Sequence, residues 1–182
     1  MPYGMMIVSV LIVAVLLYAV SMQRRLVHLD ELVSNALSQI GVQQNSRWDA
    51  LTALAELTKG YADHEARTLT EVIGRRLPAG TKVSQVNQQE GLLTEALGRI
   101  MAIAESYPQL RASENYREAM ESVNLYEEQV RMSRMVYNDS VTKMNRLVRA
   151  FPGSIFAGIL GFGQREYLEE LAGKTRPPSM KF

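Results

Sequence analysis

The 182-residue sequence has no cysteine, two histidines and one tryptophan. Without cysteine there is no thiol nucleophile, no disulfide frame and no thiolate metal site, and the absence is neutral on compartment. With 20 basic and 19 acidic residues the net charge is +1, so bulk charge gives no pull toward nucleic acid or another polyanion. His28 and His64 lie far apart in one helical stretch. Asp63-His64-Glu65 resembles a metal cluster only by composition, because adjacent helical residues point about 100° apart and cannot converge on one ion. There is no Glu-x-x-His pair of the di-iron bundle type, no glycine-rich phosphate loop with its lysine, and no Gly-x-Ser-x-Gly elbow. The expectation is a protein with no catalytic residues, no cofactor and no metal: not an enzyme.

Proline is also absent from positions 3 to 77. Within that span, residues 5–22 (MMIVSVLIVAVLLYAVSM) carry no charge, and only Ser9, Tyr18 and Ser21 are polar. A bilayer core takes roughly 17–25 apolar residues as helix, since the backbone there must satisfy its own hydrogen bonds. The run predicts a single transmembrane helix. No charged side chain precedes it, unlike a cleaved signal peptide. Arg24 and Arg25 follow it, and as topology-setting residues they favour residues 1–4 outside and the body in the cytoplasm of a bacterial inner-membrane protein.

Beyond the anchor the apolar residues recur every three or four positions, which predicts an all-α fold. The transmembrane helix is expected to continue into the long helix of an antiparallel three- to four-helix, coiled-coil-like bundle over residues 23–151, with helices at about 23–75, 86–107 and 113–151. Leu26, Leu29, Val33, Leu37, Ile40, Leu51, Leu54, Tyr61, Leu69 and Val72 mark the first stripe. Gly60 costs about 1 kcal/mol against alanine, which a long helix can absorb. Pro78 with Gly80 stops the first helix, Pro108 the second, and Ser113 with Glu114 can cap the third. The third stripe runs Tyr116, Met120, Val123, Glu127, Val130, Arg134, Tyr137, Val141, Met144, Val148, Phe151, interrupted only by Glu127 and Arg134.

Residues 152–182 are read as an apolar glycine-rich segment, a short helix over 165–172 and a tail. The segment 154–163 is too short to span a bilayer. It could cap the bundle, meet a partner or subunit, or touch the membrane surface. Counting three alternating helices places Ile155, Phe156, Ile159, Leu160 and Phe162 at the end remote from the anchor.

The conspicuous polar-aromatic group is Arg47-Trp48-Asp49, with Gln44 one turn before Arg47 and Tyr61 further on. Trp48 reads as a packing anchor or a partner hot spot. Three blocks here, residues 35–43 (NALSQIGVQ), 47–51 (RWDAL) and 59–65 (KGYADHE), resemble the bacterial LemA family. So do residues 107–112 (YPQLRA), Tyr137-Asn138-Asp139, Asn145 and Phe151-Pro152. The resemblance covers nearly the whole chain. It implies one N-terminal membrane helix with a small outer N-terminus and a helical-bundle body, and leaves the molecular function unsettled. Thr52 stands where many members have proline, Leu37 where tryptophan is common and Gly41 where aspartate is common, so roles at those positions do not carry over.

The resulting expectation is a non-enzymatic membrane-anchored scaffold or interaction protein. Its partners would be the lipid bilayer, further copies of itself and other membrane proteins, but not nucleic acid. Gln44, Arg47, Glu127 and Arg134 would set helix register. A membrane-remodelling or bridging device of SNARE-like logic, using the distal tip, is the alternative. A hydrolase- or protease-associated subunit is the reading from another class.

Overall fold

A computed structural model describes residues 2–61, 63–78 and 82–168. Among them are six helices and no strand: α1 Pro2–Thr58, α2 Asp63–Gly74, α3 Val83–Ser106, α4 Pro108–Ala112, α5 Glu114–Arg149 and α6 Gly153–Leu160. At 57 residues, α1 is about 85 Å long at 1.5 Å per residue. Its apolar N-terminal third projects beyond the bundle with side chains exposed, and it is the one helix among the described residues long and apolar enough to cross a membrane.

The long helix expected to reach residue 75 ends instead at Thr58. The Thr58 hydroxyl donates to the Ala55 carbonyl at 2.7 Å, and the Lys59 and Tyr61 N–H groups bond three residues back, to Glu56 and Thr58. Folding back at Gly60 brings Leu69 and Val72 into the same core as Trp48, Leu51 and Leu54. Burying two such side chains is worth roughly 3–6 kcal/mol. That outweighs the continuity of a helix that would leave both in water, and Gly60 is the cheapest place to break it.

The extra turn sets the topology. Arg76 pairs with Asp49 at 2.6 Å, so α2 returns along α1. Gln44 donates to the Val86 carbonyl at 3.0 Å and Arg47 meets Glu90 at 2.7 Å, so α3 starts beside the middle of α1 and runs parallel to it. The rings of Tyr61 and Tyr107 close the far end, 6.2 Å apart. Pro108 opens α4 at a first-turn position, where its missing N–H costs nothing. Ser113 caps α5 as expected, its Oγ accepting from the Tyr116 N–H at 3.3 Å. From there α5 runs back along α1 toward the apolar third. The body is an up-down-up-down arrangement of α1, α2, α3 and α5.

Two apolar clusters follow. One, at the far end, joins α1, α2, α3 and α5 around Trp48, Leu93, Ile100 and Val123. The other, near the apolar third, joins Met22, Leu26, Val33 and Ile40 of α1 to Val130, Val141 and Met144 of α5, with Ala157 and Leu168. Phe151, read as the last residue of the α5 seam, lies past the helix end and is 81% exposed. Residues 165–168, expected to be helical, are not, and the rest of the expected helix and the tail lie outside the described residues.

Candidate functional site

Two groups of residues stand out from the apolar packing, one inside the bundle and one where α1 leaves it.

The inner group is polar and buried. Arg47 is 0% exposed. One guanidinium nitrogen meets Glu90 Oε1 at 2.7 Å and the other meets Glu127 Oε2 at 3.2 Å, so one side chain of α1 ties α3 to α5. Gln44, one turn earlier, donates from Nε2 to the second Glu90 oxygen at 3.2 Å as well as to the Val86 carbonyl. Beside it, Trp48 Nε1 donates to the Gln89 side-chain oxygen at 3.2 Å, while the Gln89 amide nitrogen donates to the Leu77 carbonyl at 3.1 Å. Arg134 is buried two turns further along α5. A slip of these helices past one another would strand a charge in an apolar interior, at a cost of about 3–5 kcal/mol.

Gln44, Arg47, Glu127, Arg134 and Trp48 thus lie within the bundle. Asp49 is exposed and bound to Arg76, and Tyr61 is at the far end against Tyr107. Glu90 was not singled out in the sequence, although Val86, Glu90 and Leu93 share one stripe of α3 and a carboxylate on such a stripe asks for a buried cation. Among the described residues no group of three potential metal ligands occurs. The side chains of Asp63, His64 and Glu65 lie outside what the structure describes.

The outer group reverses an expectation. Phe156 packs on Tyr18, ring centroids 5.6 Å apart, and Ala157 lies in the cluster of Met22 and Leu26. The segment 154–163 therefore sits beside the apolar third of α1, at the opposite end from the predicted distal tip. With α2 as a separate element, α5 runs toward the anchor instead of away from it. The corner is tight: after the cis Phe151–Pro152 peptide, a Cβ on Gly153 would lie 2.3 Å from the Leu147 carbonyl oxygen. α6 ends at Gly161, whose φ of +77° suits glycine. Phe156 and Phe162 are half-buried, whereas Ile155, Ile159 and Leu160 are exposed.

The chain then runs extended along α5, held by side chains that the stripe pattern did not reveal. Asn145 donates to the Arg165 carbonyl at 2.8 Å and accepts from its N–H at 2.7 Å. Asn138 repeats the grip on Leu168, at 3.2 and 3.0 Å. Seven helical residues advance about 10.5 Å and three extended residues about 10 Å, so two asparagines at i and i+7 match backbone groups three apart. Each amide stands in for a strand neighbour. The buried Tyr137 hydroxyl donates to the Glu166 carbonyl at 2.8 Å, and Arg165 pairs with Asp30 of α1. Burial pushes the Tyr137 phenol above its usual value, Arg165 counters and Glu166 adds to the rise. Beside this strap a cleft of about 420 Å³ is lined by Thr142, Asn145, Arg146, Arg149, Ala150 and Tyr167. Arg24 and Arg25 are exposed where α1 enters the bundle.

The model of the family described as LemA family matches residues 36–182. The magnetosome protein MamQ of Magnetospirillum gryphiswaldense is 33% identical over 104 residues, covering 57% of this chain and 38% of that protein. The magnetosome proteins MamQ 2 and MamQ 1 of Paramagnetospirillum magneticum are each 26% identical over 203 aligned positions, covering 95% of this chain and 75% of the relative. The match to the Magnetospirillum gryphiswaldense protein spans well under half of that relative's length.

Proposed function

The chain belongs to the LemA family, and from that premise we propose that it is a non-enzymatic, membrane-anchored helical scaffold that assembles with further copies of itself along the outer face of α5. The observation that carries this reading is an exposed apolar stripe. Leu125, Met132, Met135 and Val136 share the side of α5 turned away from α1 and are each more than half exposed. The spacing 125, 132, 136 is that of a helix-packing seam. A seam on a helix already packed on its other side suits a second helix, and an anchor confining copies to a plane raises their effective concentration.

Gln44, Arg47, Glu127 and Arg134 serve this scaffold by holding the chain's own helices in register; Gln44, Arg47 and Arg134 are buried, and Glu127 is half-buried with its carboxylate turned to Arg47. We place the body on the cytoplasmic side. The basic residues Arg24 and Arg25 next to the apolar run support that side, as do Arg146 and Arg149 at the end of α5, by the preference of lysine and arginine for the cytoplasmic flank. The MamQ names suggest that the membrane served is that of a magnetosome.

The test uses the absence of native cysteine. With Met132→Cys in full-length protein in membranes, a thiol crosslinker should give dimers, while Ala102→Cys on the exposed side of α3 should not. Monomer alone from Met132→Cys, Leu125→Cys and Val136→Cys would remove the α5 face as the assembly surface. The bridging alternative loses its distal tip, because α6 lies beside the chain's own anchor.

A further inference from the structure

The segment that folds back beside the anchor has a surface of its own. From Ala150 to Gln164 there is no charged side chain, and Arg149 and Arg165 bound the stretch. Phe151, Ile155 and Ile159 are spaced by four, and they are 81%, 52% and 75% exposed. On the other side of α6, Gly153 and Ala157 are buried and Phe156 is half-buried against α1. A helix this apolar that packs on one side and bares phenylalanine and isoleucine on the other needs a further apolar neighbour.

Its position says which one. Phe156 lies on Tyr18, a residue within the apolar run 5–22, and Ala157 packs in the cluster of Met22. A helix fixed to the last turns of a membrane span is at the depth where that span leaves the bilayer. Arg24 and Arg25, just past the apolar run on α1, and Arg146 and Arg149, on the last turn of α5 before α6, are exposed. Apolar side chains flanked by arginines suit a layer with hydrocarbon below and phosphate above.

We propose that α6, with Phe151, is a second membrane contact: Phe151, Ile155 and Ile159 insert into the leaflet from which α1 emerges, and Arg146 and Arg149 face its headgroup phosphates. The body is then held to the bilayer at two places and cannot swivel freely about α1. The strap from Gln164 to Leu168 starts at this contact and follows α5 away from the membrane. The inference rests on the reading of residues 5–22 as a membrane span.

The experiment places single cysteines in full-length protein reconstituted in vesicles of phosphatidylethanolamine and phosphatidylglycerol. Ile159→Cys, Leu11→Cys and Ser122→Cys are each labelled with an environment-sensitive fluorophore, and lipids with spin-labelled acyl chains act as quencher. Quenching at 159 several-fold above that at 122, with strong quenching at 11, is the expected result. Quenching at 11 with 159 no higher than 122 overturns the α6 contact and leaves the anchor standing. No quenching at 11 overturns the anchor and the α6 contact together. A second readout is Ile155→Ser/Ile159→Ser, which should leave the helical signal and the quenching at 11 intact and lower the quenching of a label at Phe151→Cys; unchanged quenching there also counts against insertion.

Discussion

Phe156 rests on Tyr18, and that contact joins the sixth helix of the chain to the first. It fixes the direction of the whole body. An α5 that ends beside the anchor must have begun at the far end, so the chain before it makes an odd number of lengthwise passes: out on α1, back on α2 and out again on α3. A chain folded as three alternating helices would carry Phe156 about 60 Å from Tyr18, the length of α1 from residue 18 to 58 at 1.5 Å per residue.

The corner that makes this contact is specific about Gly153. A Cβ there would lie 2.3 Å from the Leu147 carbonyl oxygen, a backbone atom that cannot swing aside. Gly153→Ala should destabilise the fold by about 1–3 kcal/mol, the range for forcing an extra carbon into a packed site. It should also increase the exposure of α6 to added protease. Gly158→Ala on the same helix meets nothing within 4 Å and should cost nothing, or stabilise by up to about 1 kcal/mol, in the same denaturation assay.

Arg47 is the second sensitive point. Arg47→Ala leaves the Glu90 carboxylate buried without its cation and should cost about 3–5 kcal/mol in urea unfolding. Arg47→Met with Glu90→Met removes both charges, and it should recover most of that loss. A double variant no more stable than Arg47→Ala would mean that the node matters for shape and not for charge.

The asparagine grips predict a local effect. Asn138→Ala and Asn145→Ala each remove two hydrogen bonds, at about 0.5–1.5 kcal/mol apiece. Backbone hydrogen exchange at Leu168 should speed up in the first variant and at Arg165 in the second, with little change in α3. Exchange rates unchanged at both amides would show that the strap is held by Tyr137 and packing alone.

Alkaline pH should loosen the same strap. Burial raises the Tyr137 phenol above 10.0, so the folded protein holds that proton more tightly than the unfolded chain. The stabilisation is complete below the unfolded value and is lost as pH rises through the folded one. Tyr116, also raised chiefly by burial, acts with the same sign. Denaturation midpoints should therefore fall above about pH 10. Tyr137→Phe should show a smaller fall, since only Tyr116 of the two remains to titrate.

Much of this was legible in the residues themselves. The long apolar N-terminal helix, the helical class, the stop at Pro108 and the Ser113 cap follow from local chemistry, and Glu127 and Arg134 announced themselves as polar breaks in an apolar stripe. The break at Gly60 did not, because its local cost is small and the gain comes from Leu69 and Val72 reaching a core that exists only once α3 is in place. Missing that one turn inverts every later direction, which is why Phe156 and Ile159 were expected at the wrong end. The strap was hidden for a related reason. Asn138 and Asn145 bind backbone that arrives from 20 to 30 residues later, and no periodicity in α5 records it.

The most direct measurement is a pair of distances in the full-length protein in lipid. Spin labels at Tyr18→Cys and Phe156→Cys should report a short separation, under about 20 Å, while labels at Tyr61→Cys and Phe156→Cys should lie roughly 60 Å apart, the span of α1 between the two ends. The reverse pattern, short from 61 and long from 18, would contradict the fold-back at Gly60 and the membrane-side placement of α6.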